Sequence, residues 1–444
     1  MAQTVSTHIP APPKGKDKLK WLGPGFLWMV SAAGSGELLF SPRVGSLYGY
    51  TLVWAMLAAV LFKWFINREI GRYTVCTGET VIDGFWKVSP CFVYIILVPQ
   101  LFVAVATIAG LAGSSATALV LVFPGDIRIW TIASIGVSTI LVSWGKFRVI
   151  ELVATSIAIL LSLSAIVAAI SVFPDGQALL KGMLPSMPSN IDYEEILPWL
   201  GFMLSGAAGM IWYSYWIQKK GYGAAGRKNE ATEYSAADKQ HLKGWIKQMT
   251  LDNNLAIIGT VIITLAFLIL GVELLRPQGL VPEEDKVAQT LGKILEQLWG
   301  PIGFWFMVTG VFIGFWDTVL SDQDGFGRMF AGGSRLLLSK TRMNKKLLDE
   351  KKLIRFFVIT VCTILPVILY LVMGEPVTLL KIAGVIEAAH IPFLVALVLI
   401  MNYKKLHKEL RPSLFTTIMT CLSGVFFALF TIIYLLSLFD VVQL

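Results

Sequence analysis

The sequence predicts an all-α polytopic membrane protein with about eleven transmembrane helices, and two observations carry this prediction. Of the 444 residues, 55% are hydrophobic and only 15% are charged, whereas soluble domains are about 45–50% apolar and about 25% charged. Stretches of about 18 or more mostly apolar residues recur from Leu22 to Leu438, and each is long enough to cross a hydrocarbon core of about 30 Å. We predict helices because the sequence does not show the short alternating strands of a membrane barrel.

The predicted spans follow one another along the whole chain. They lie near residues 23–48, 51–73, 89–123, 128–145, 148–173, 197–218, 246–272, 299–322, 354–373, 377–402 and 412–438. Glycines interrupt the first span at Gly34 and Gly36, and the sixth span at Gly206 and Gly209. Because the interruptions are five spans apart, the two halves would have opposite topology, as in inverted-repeat transporters whose site lies at broken helices. The alternative is that these glycines only permit close helix packing.

The spans divide the chain into five predicted parts. These are an N-terminal tail at 1–22, a first repeat at 23–173, an extracellular loop at 174–196, a second repeat at 197–402, and the last span with the C-terminus at 403–444. About thirty of the 37 Lys and Arg residues lie in the tail and in every second loop. The positive-inside rule therefore predicts a cytoplasmic N-terminus and an external Leu444 in the plasma (inner) membrane.

The charge balance and the missing motifs exclude other classes of protein. The net charge of +8 is carried by loops, so we interpret it as an orientation signal and expect no nucleic-acid partner. The expected partner is the lipid bilayer, and the sequence indicates no obligate protein partner. It also shows no nucleophile–base pair, no cluster of metal-binding histidines and no phosphate loop, which argues against an enzyme and against a bound cofactor.

Glu37 is the first candidate site residue, because it lies in the middle of the first span, directly after Gly34, Ser35 and Gly36. A carboxylate in the bilayer core costs about 2.5 kcal/mol or more, so it needs a partner or a function. Unwinding at the glycines would free backbone carbonyls, and a carboxylate with carbonyls forms a hard-oxygen cation site. The alternative is a structural ion pair with Arg43, although their spacing does not place both on one helix face.

The sixth and eighth spans contain further candidates. Met210 has a soft thioether that favours transition metals, although packing in an apolar core is the more ordinary role of a methionine. In the eighth span, Asp317, Ser321 and Asp324 share one helix face. This pattern predicts either a polar pathway for the ion or a structural cluster.

The tenth span contains Lys381, Glu387 and His390. Glu387 and His390 are three residues apart on one face, which predicts a proton relay or a second cation site. The alternative is a structural polar cluster of all three side chains within the bundle.

Short motifs along nearly the whole chain resemble the Nramp family of divalent-metal transporters. They are Gly23-Pro24-Gly25-Phe26, Gly49-Tyr50, Thr77-Gly78, Arg148-x-x-Glu151 and Gly182-Met183-Leu184-Pro185. The resemblance implies a LeuT-like 5+5 inverted repeat with broken helices 1 and 6. It also implies that a divalent metal ion is the transported substrate rather than a cofactor.

The chain departs from the family's pattern at the metal site. The family's Asp-Pro-Gly-Asn motif falls on Gly34, Ser35, Gly36 and Glu37, so its Asp is lost and its Asn is replaced by Glu. The family's Ala-x-x-Met-Pro-His motif keeps Ala207 and Met210, whereas its His position is Trp212. The resemblance therefore implies that the Ala207 carbonyl and the Met210 thioether belong to the metal site.

The altered motifs resemble the Nramp-related magnesium transporters, a branch that keeps the fold and remodels the metal site. We therefore predict alternating-access transport of Mg²⁺, and also of Mn²⁺, because Mg²⁺ keeps several waters and needs few protein ligands. Proton coupling is not expected, since residues 103–123 contain no ionisable side chain and Trp212 replaces the family's His. The alternatives are a transition-metal importer of Mn²⁺ or Fe²⁺ that uses Met210, and a carrier of a small organic ion.

Overall fold

A computed structural model describes residues 9–31, 33–144, 148–173, 176–188, 191–225, 234–339 and 349–438. Within these ranges the regular structure is entirely helical. Leu444, whose side of the membrane is predicted above, and the side chains of Arg148 and Glu151 lie outside the described residues.

The first half of the chain contains nine α-helices. They are α1 (Asp17–Lys20), α2 (Pro24–Ser31), α3 (Ser41–Tyr48), α4 (Val53–Thr77), α5 (Val81–Val88), α6 (Pro90–Leu119), α7 (Ile127–Trp144), α8 (Arg148–Ser171) and α9 (Gly176–Gly182). A π-helical segment, Ala33–Phe40, lies between α2 and α3. The predicted interruption of the first span is therefore a widened helix over Gly34 and Gly36.

The second half contains the remaining helices. They are α10 (Tyr193–Phe202), α11 (Ala207–Lys220), α12 (Ala236–Leu270), α13 (Val287–Leu338), α14 (Glu350–Ile359), α15 (Leu365–Met373), α16 (Pro376–Lys405) and α17 (Leu414–Leu438). The π-helical segments Gly271–Leu275 and Thr360–Ile364 follow α12 and α14. Helix α13 bends at Gly300, whose φ of 64° is strained for any residue with a side chain.

Eight helical stretches in the described part of the chain are long and apolar enough to cross a membrane, or nine if one sharply bent pair counts as a span. The first two predicted spans are not in this set. The first is divided by the π-helical segment, and α4 contains Lys63, Arg68, Glu69 and Arg72. An all-helical membrane protein is confirmed, whereas the number eleven stays a prediction.

The helices form one bundle in which α6 is central. Helix α6 packs most extensively against α13 and α16, and α10 packs against α16. Large apolar side chains such as Ile302, Val372 and Leu414 are exposed on the outside of the bundle. Such an apolar exterior suits a surface that contacts lipid.

Candidate functional site

The sixth span, named helix 6 below and distinct from α6, consists of α10 and α11 and is interrupted between them at residues 203–206. Leu204 and Ser205 have φ values of 52° and 64°, a left-handed backbone that costs non-glycine residues about 1–3 kcal/mol each. The interruption lies in the buried interior, where exposed N–H and C=O groups need partners. Three charged side chains supply them: Glu37, Lys63 and Glu387.

Glu37 reaches this interruption from the π-helical segment Ala33–Phe40 of the first span. Its Oε1 accepts a hydrogen bond of 3.0 Å from the Leu204 N–H. Its Oε2 is buried without a hydrogen-bond partner among the described residues. Gly36 permits this approach, because a Cβ there would lie about 3.0 Å from the backbone of Met203. Glu37 therefore has one oxygen that holds helix 6 and one that is free for a ligand.

Lys63, on α4, binds the other side of the interruption. Its Nζ donates to the carbonyl oxygens of Gly201 (2.6 Å), Met203 (2.6 Å) and Ser205 (2.9 Å). The side chain is 0% exposed. These three bonds use all three N–H donors of an ammonium.

Glu387, on α16, caps the second half of helix 6. Its Oε2 accepts from the Ala207 N–H at 2.6 Å, where the partial positive charge of a helix N-terminus favours a carboxylate. Gly206 permits the contact, because a Cβ at that position would collide with the Glu387 carboxyl carbon. The Gln100 amide donates to Glu387 at 3.2 Å and lies 3.1 Å from Nδ1 of His390. The predicted pair of Glu387 and His390 is thus joined through Gln100.

A small cavity of about 20 Å³ lies against this interruption. That volume holds about one water molecule or one bare ion. Its polar lining residues are Ser35, Thr107, Ser205, Trp212, Thr318, Asp322 and Glu387. Its remaining lining residues are Val103, Phe202, Gly206, Ala208, Gly209 and Phe326.

Asp322 supplies the carboxylate with which this cavity could bind a cation. The side chain is 5% exposed, and within the described part of the chain its carboxylate forms no hydrogen bond or ion pair. The hydroxyl of Thr107, which also lines the cavity, has no hydrogen-bond partner among the described residues. A buried carboxylate is costly unless it is paired or binds a cation. The unpaired oxygens of Asp322 and Thr107 therefore provide hard ligands for a cation.

The structure brings part of the predicted site together. Ser35 and Glu387 line the cavity, and Glu37 lies at the same interruption. Gly34 packs against the Thr318 hydroxyl, which leaves no room for a Cβ. Ala207 contacts Glu387 through its N–H and does not line the cavity, so the metal-binding role of its carbonyl stays a prediction.

Met210 and the predicted face of the eighth span lie elsewhere. The Met210 side chain is buried in the apolar core and does not line the cavity. Asp324 forms an ion pair of 2.8 Å with Arg328 on the partly exposed helix surface. Asp317 and Ser321 do not line the cavity either. Their roles as ligands or as a polar pathway stay predictions.

Sequence reasoning missed Asp322 and Lys63. Thr318, Asp322 and Phe326 recur every four residues and line the cavity, so they form the relevant face of α13. Asp322 was visible as an acidic residue of the eighth span, but the sequence analysis selected the neighbouring face that contains Asp317. Lys63 could have been selected because it is an ionisable residue in the middle of an apolar span.

Arg43 does not pair with Glu37. Its guanidinium instead forms two hydrogen bonds, of 2.6 Å and 2.7 Å, with the carboxylate of Glu195 on α10. Lys381 on α16 also binds Glu195, and Arg43 donates to the Pro282 carbonyl. Lys381 therefore belongs to a network that joins α3, α10 and α16, rather than to the cluster of Glu387 and His390.

The ligand set fits a hard cation better than a soft one. Among the described residues, no group of three or more His, Cys, Asp or Glu side chains is close enough to hold a metal ion. The lining residues offer carboxylate and hydroxyl oxygens, which suit Mg²⁺, Ca²⁺ and Mn²⁺. Trp212, at the position of the family's His, packs edge-on against Phe326 with ring centroids 4.9 Å apart.

Comparisons with known proteins agree with this architecture. A family model described as "Nramp: Natural resistance-associated macrophage protein-like" matches residues 25–437. An uncharacterized protein of Pasteurella multocida is 28% identical over 336 residues, which are 73% of this chain and 72% of that protein.

Among the solved structures with a similar fold are two different transporters. A mutant of the Eremococcus coleocola manganese transporter has a TM-score of 0.71 at 15% identity, covering 98% of this chain and 90% of its own. The nucleobase-cation-symport-1 family transporter Mhp1, closed with bromovinylhydantoin bound, has a TM-score of 0.50 at 11% identity, covering 95% of this chain and 94% of its own. The predicted LeuT-like architecture is thereby confirmed.

Proposed function

This chain belongs to the Nramp family of divalent-metal transporters, and we propose that it carries a hard divalent cation through the cavity beside the helix 6 interruption. It is an integral membrane transporter rather than an enzyme, and the metal ion is its substrate rather than a cofactor. The observation that carries the proposal is the unpaired Asp322 carboxylate, which lines the same cavity as Glu387, a cavity of about one ion's size.

The charge at the interruption supports a divalent substrate. With Glu37, Asp322 and Glu387 ionised and Lys63 protonated, the formal charge is −2. One divalent cation neutralises it, and buried charges are stable only when compensated. A monovalent ion would leave one negative charge uncompensated.

Mn²⁺ is the first candidate substrate. Mg²⁺ gives up its water reluctantly, whereas the cavity of about 20 Å³ leaves no room for a hydrated ion. One of the solved structures with a similar fold is that of a manganese transporter. Mg²⁺, which the sequence analysis ranked first, is the second candidate, because the lining oxygens suit it as well. An organic ion is too large for this cavity.

We further propose alternating access around this site in the plasma (inner) membrane, with a cytoplasmic N-terminus, an external C-terminus and no proton coupling. The uneven distribution of Lys and Arg supports the orientation. The Trp at position 212 supports uncoupled transport, because it removes a titratable side chain from the cavity lining. An inside-negative potential would suffice, since it supplies about 2.3 kcal/mol per charge for each 100 mV.

Uptake by purified protein in liposomes tests the proposal. We expect potential-driven Mn²⁺ uptake, slower uptake of Mg²⁺, and no change in the fluorescence of an internal pH dye when the potential is clamped. Uptake of neither ion would contradict the assigned substrate class. Metal uptake accompanied by transporter-dependent acidification would contradict uncoupled transport alone.

A further inference from the structure

We infer that the helix 6 interruption contains a second cation position, of the monovalent class, and that the tethered ammonium of Lys63 fills it permanently. This position is distinct from the divalent-cation cavity, which Lys63 does not line. Its ligands are the carbonyl oxygens of Gly201, Met203 and Ser205.

The carbonyl set has the form of an ion site. Three main-chain carbonyls from a five-residue stretch converge on one nitrogen at 2.6–2.9 Å. Carbonyls at the end of an unwound half-helix are the groups with which membrane transporters of this architecture coordinate monovalent cations. Rings of such carbonyls replace the hydration shell of alkali ions in channels. The ligands are thus main-chain atoms that a free Na⁺, K⁺ or small alkylammonium ion would also bind.

The surroundings of Lys63 indicate a fixed charge rather than a surface lysine. The ammonium interacts electrostatically with the carboxylates of Glu387 and Glu37 and lies 5.6 Å from the centroid of the Phe427 ring on α17. Because its three N–H groups are used by carbonyls, Lys63 cannot also pair directly with either carboxylate. It compensates them at a distance and leaves the free Glu37 oxygen available.

A tethered cation has a functional consequence. The left-handed backbone at Leu204 and Ser205 stays assembled whether or not the divalent ion is bound, and without any ion from solution. Stability and transport should therefore be independent of Na⁺ and K⁺. This consequence for transport rests on the proposed function, whereas the consequence for stability does not.

Thermal unfolding of the purified full chain in detergent tests the inference, without a divalent cation. We compare NaCl, KCl, methylammonium chloride and the chloride of bulky N-methylglucamine. The wild type should unfold at one temperature in all four. Lys63→Ala should unfold at a lower temperature in N-methylglucamine and recover in Na⁺, K⁺ or methylammonium, because a free ion takes the vacated place.

Two matched variants sharpen the test. Lys63→Met fills the space without charge, so it should be destabilised in every salt and rescued by none. Lys87→Ala removes a lysine that is paired with Glu79 at the half-exposed end of α5, and it should show no cation dependence. If Lys63→Ala does not fold, Lys63→Gln replaces it, because its shorter amide still donates to carbonyls but leaves room for an ion.

Transport provides a second readout. In liposomes free of Na⁺ and K⁺, Mn²⁺ uptake by the Ala or Gln variant should fall about tenfold or more and recover with methylammonium. Wild-type stability that rises with Na⁺, or a folded Lys63→Ala or Lys63→Gln variant that responds to no cation, would overturn the inference. Wild-type protein that never takes up divalent ions would overturn the proposed function instead, and the unfolding result would stand.

Discussion

Asp322 is the residue on which the proposed site depends, and its charge is testable by an isosteric change. We expect Asp322→Asn to reduce Mn²⁺ uptake by about 10- to 100-fold or more, because even indirect ligand partners contribute that much to metal affinity. The variant should fold, since within the described chain the carboxylate holds no other side chain. Initial uptake rates in liposomes measure the effect.

Asp324→Asn is the matched control. It makes the same change two residues later on the same helix, where the carboxylate pairs with Arg328 at the partly exposed surface. Exposed ion pairs contribute only about 0–1 kcal/mol, so uptake should stay near the wild-type rate. Equal losses in both variants would show that a negative charge on this helix matters generally, and would contradict the assignment of Asp322 as ligand.

Substitution of Met210 distinguishes a metal site with a soft thioether ligand from a site with hard oxygen ligands alone. Since its side chain lies in the core outside the cavity lining, we expect Met210→Ala to lower stability by about 2–5 kcal/mol. We also expect Mg²⁺, Mn²⁺ and Cd²⁺ uptake to fall by equal factors. A selective loss of Cd²⁺ and Mn²⁺ uptake, with Mg²⁺ uptake preserved, would instead show that the thioether is a ligand.

At the scale of elements, α3, α10 and α16 are joined by the network of Arg43, Glu195 and Lys381. Ser41 is buried close to this network in the chain, and its hydroxyl donates to the Gly36 carbonyl. The buried indole of Trp199 donates to the Ser41 hydroxyl. Breaking a buried ion pair costs about 3–5 kcal/mol. Because Ser41, Arg43 and Glu195 are buried in this structure, we expect the network to keep this side of the site closed to solvent.

Glu195→Gln should shift the protein toward opening on that side. In a background without the exposed Cys91 and Cys421, a cysteine at Ser41 should react faster with a membrane-impermeant thiol reagent when Glu195→Gln is also present. A cysteine at Ser214, beyond the interruption on α11, should become no more reactive. Faster labelling at both positions would indicate general loosening, and no change at either would exclude the network as a closing contact.

Much of the helical architecture could be predicted, because span length and apolar content fix where a chain can cross a bilayer. The interruption lies next to the predicted Gly206, but its left-handed residues are Leu204 and Ser205, and the predicted Gly209 lies within α11. The pairing of polar side chains was harder to predict. Glu195 and Arg43 are distant in sequence, so only the fold shows that they pair.

The cavity could be predicted only in part. Glu387 was selected as an ionisable residue within an apolar span and Ser35 as part of the break at Gly34 and Gly36, and both line the cavity. Asp322 was missed because Asp317, Ser321 and Asp324 formed an equally regular face, and periodicity alone cannot say which face of α13 meets α6. Lys63 was visible as an ionisable residue within an apolar span, but its role was missed because its three partners are main-chain carbonyls, which residue types do not mark.

At the scale of the whole molecule, the orientation proposal predicts termini on opposite sides of the membrane. An epitope tag before Met1 should be accessible only in permeabilised cells, and a tag after Leu444 should be accessible in intact cells. This outcome requires an odd number of spans, as the eleven predicted from hydropathy give. Tags that are protected or exposed together would require an even number and would refute the predicted count.

The location of the bound ion tests the central claim most directly. We would measure the anomalous scattering of Mn²⁺ in crystals of the full chain. The account predicts one strong peak in the cavity of helix 6, within about 2.0–2.6 Å of oxygens from Asp322 and Glu387, the range for hard cations. A peak beside the Met210 sulfur, with the Asp322 carboxylate outside ligand distance, would contradict it.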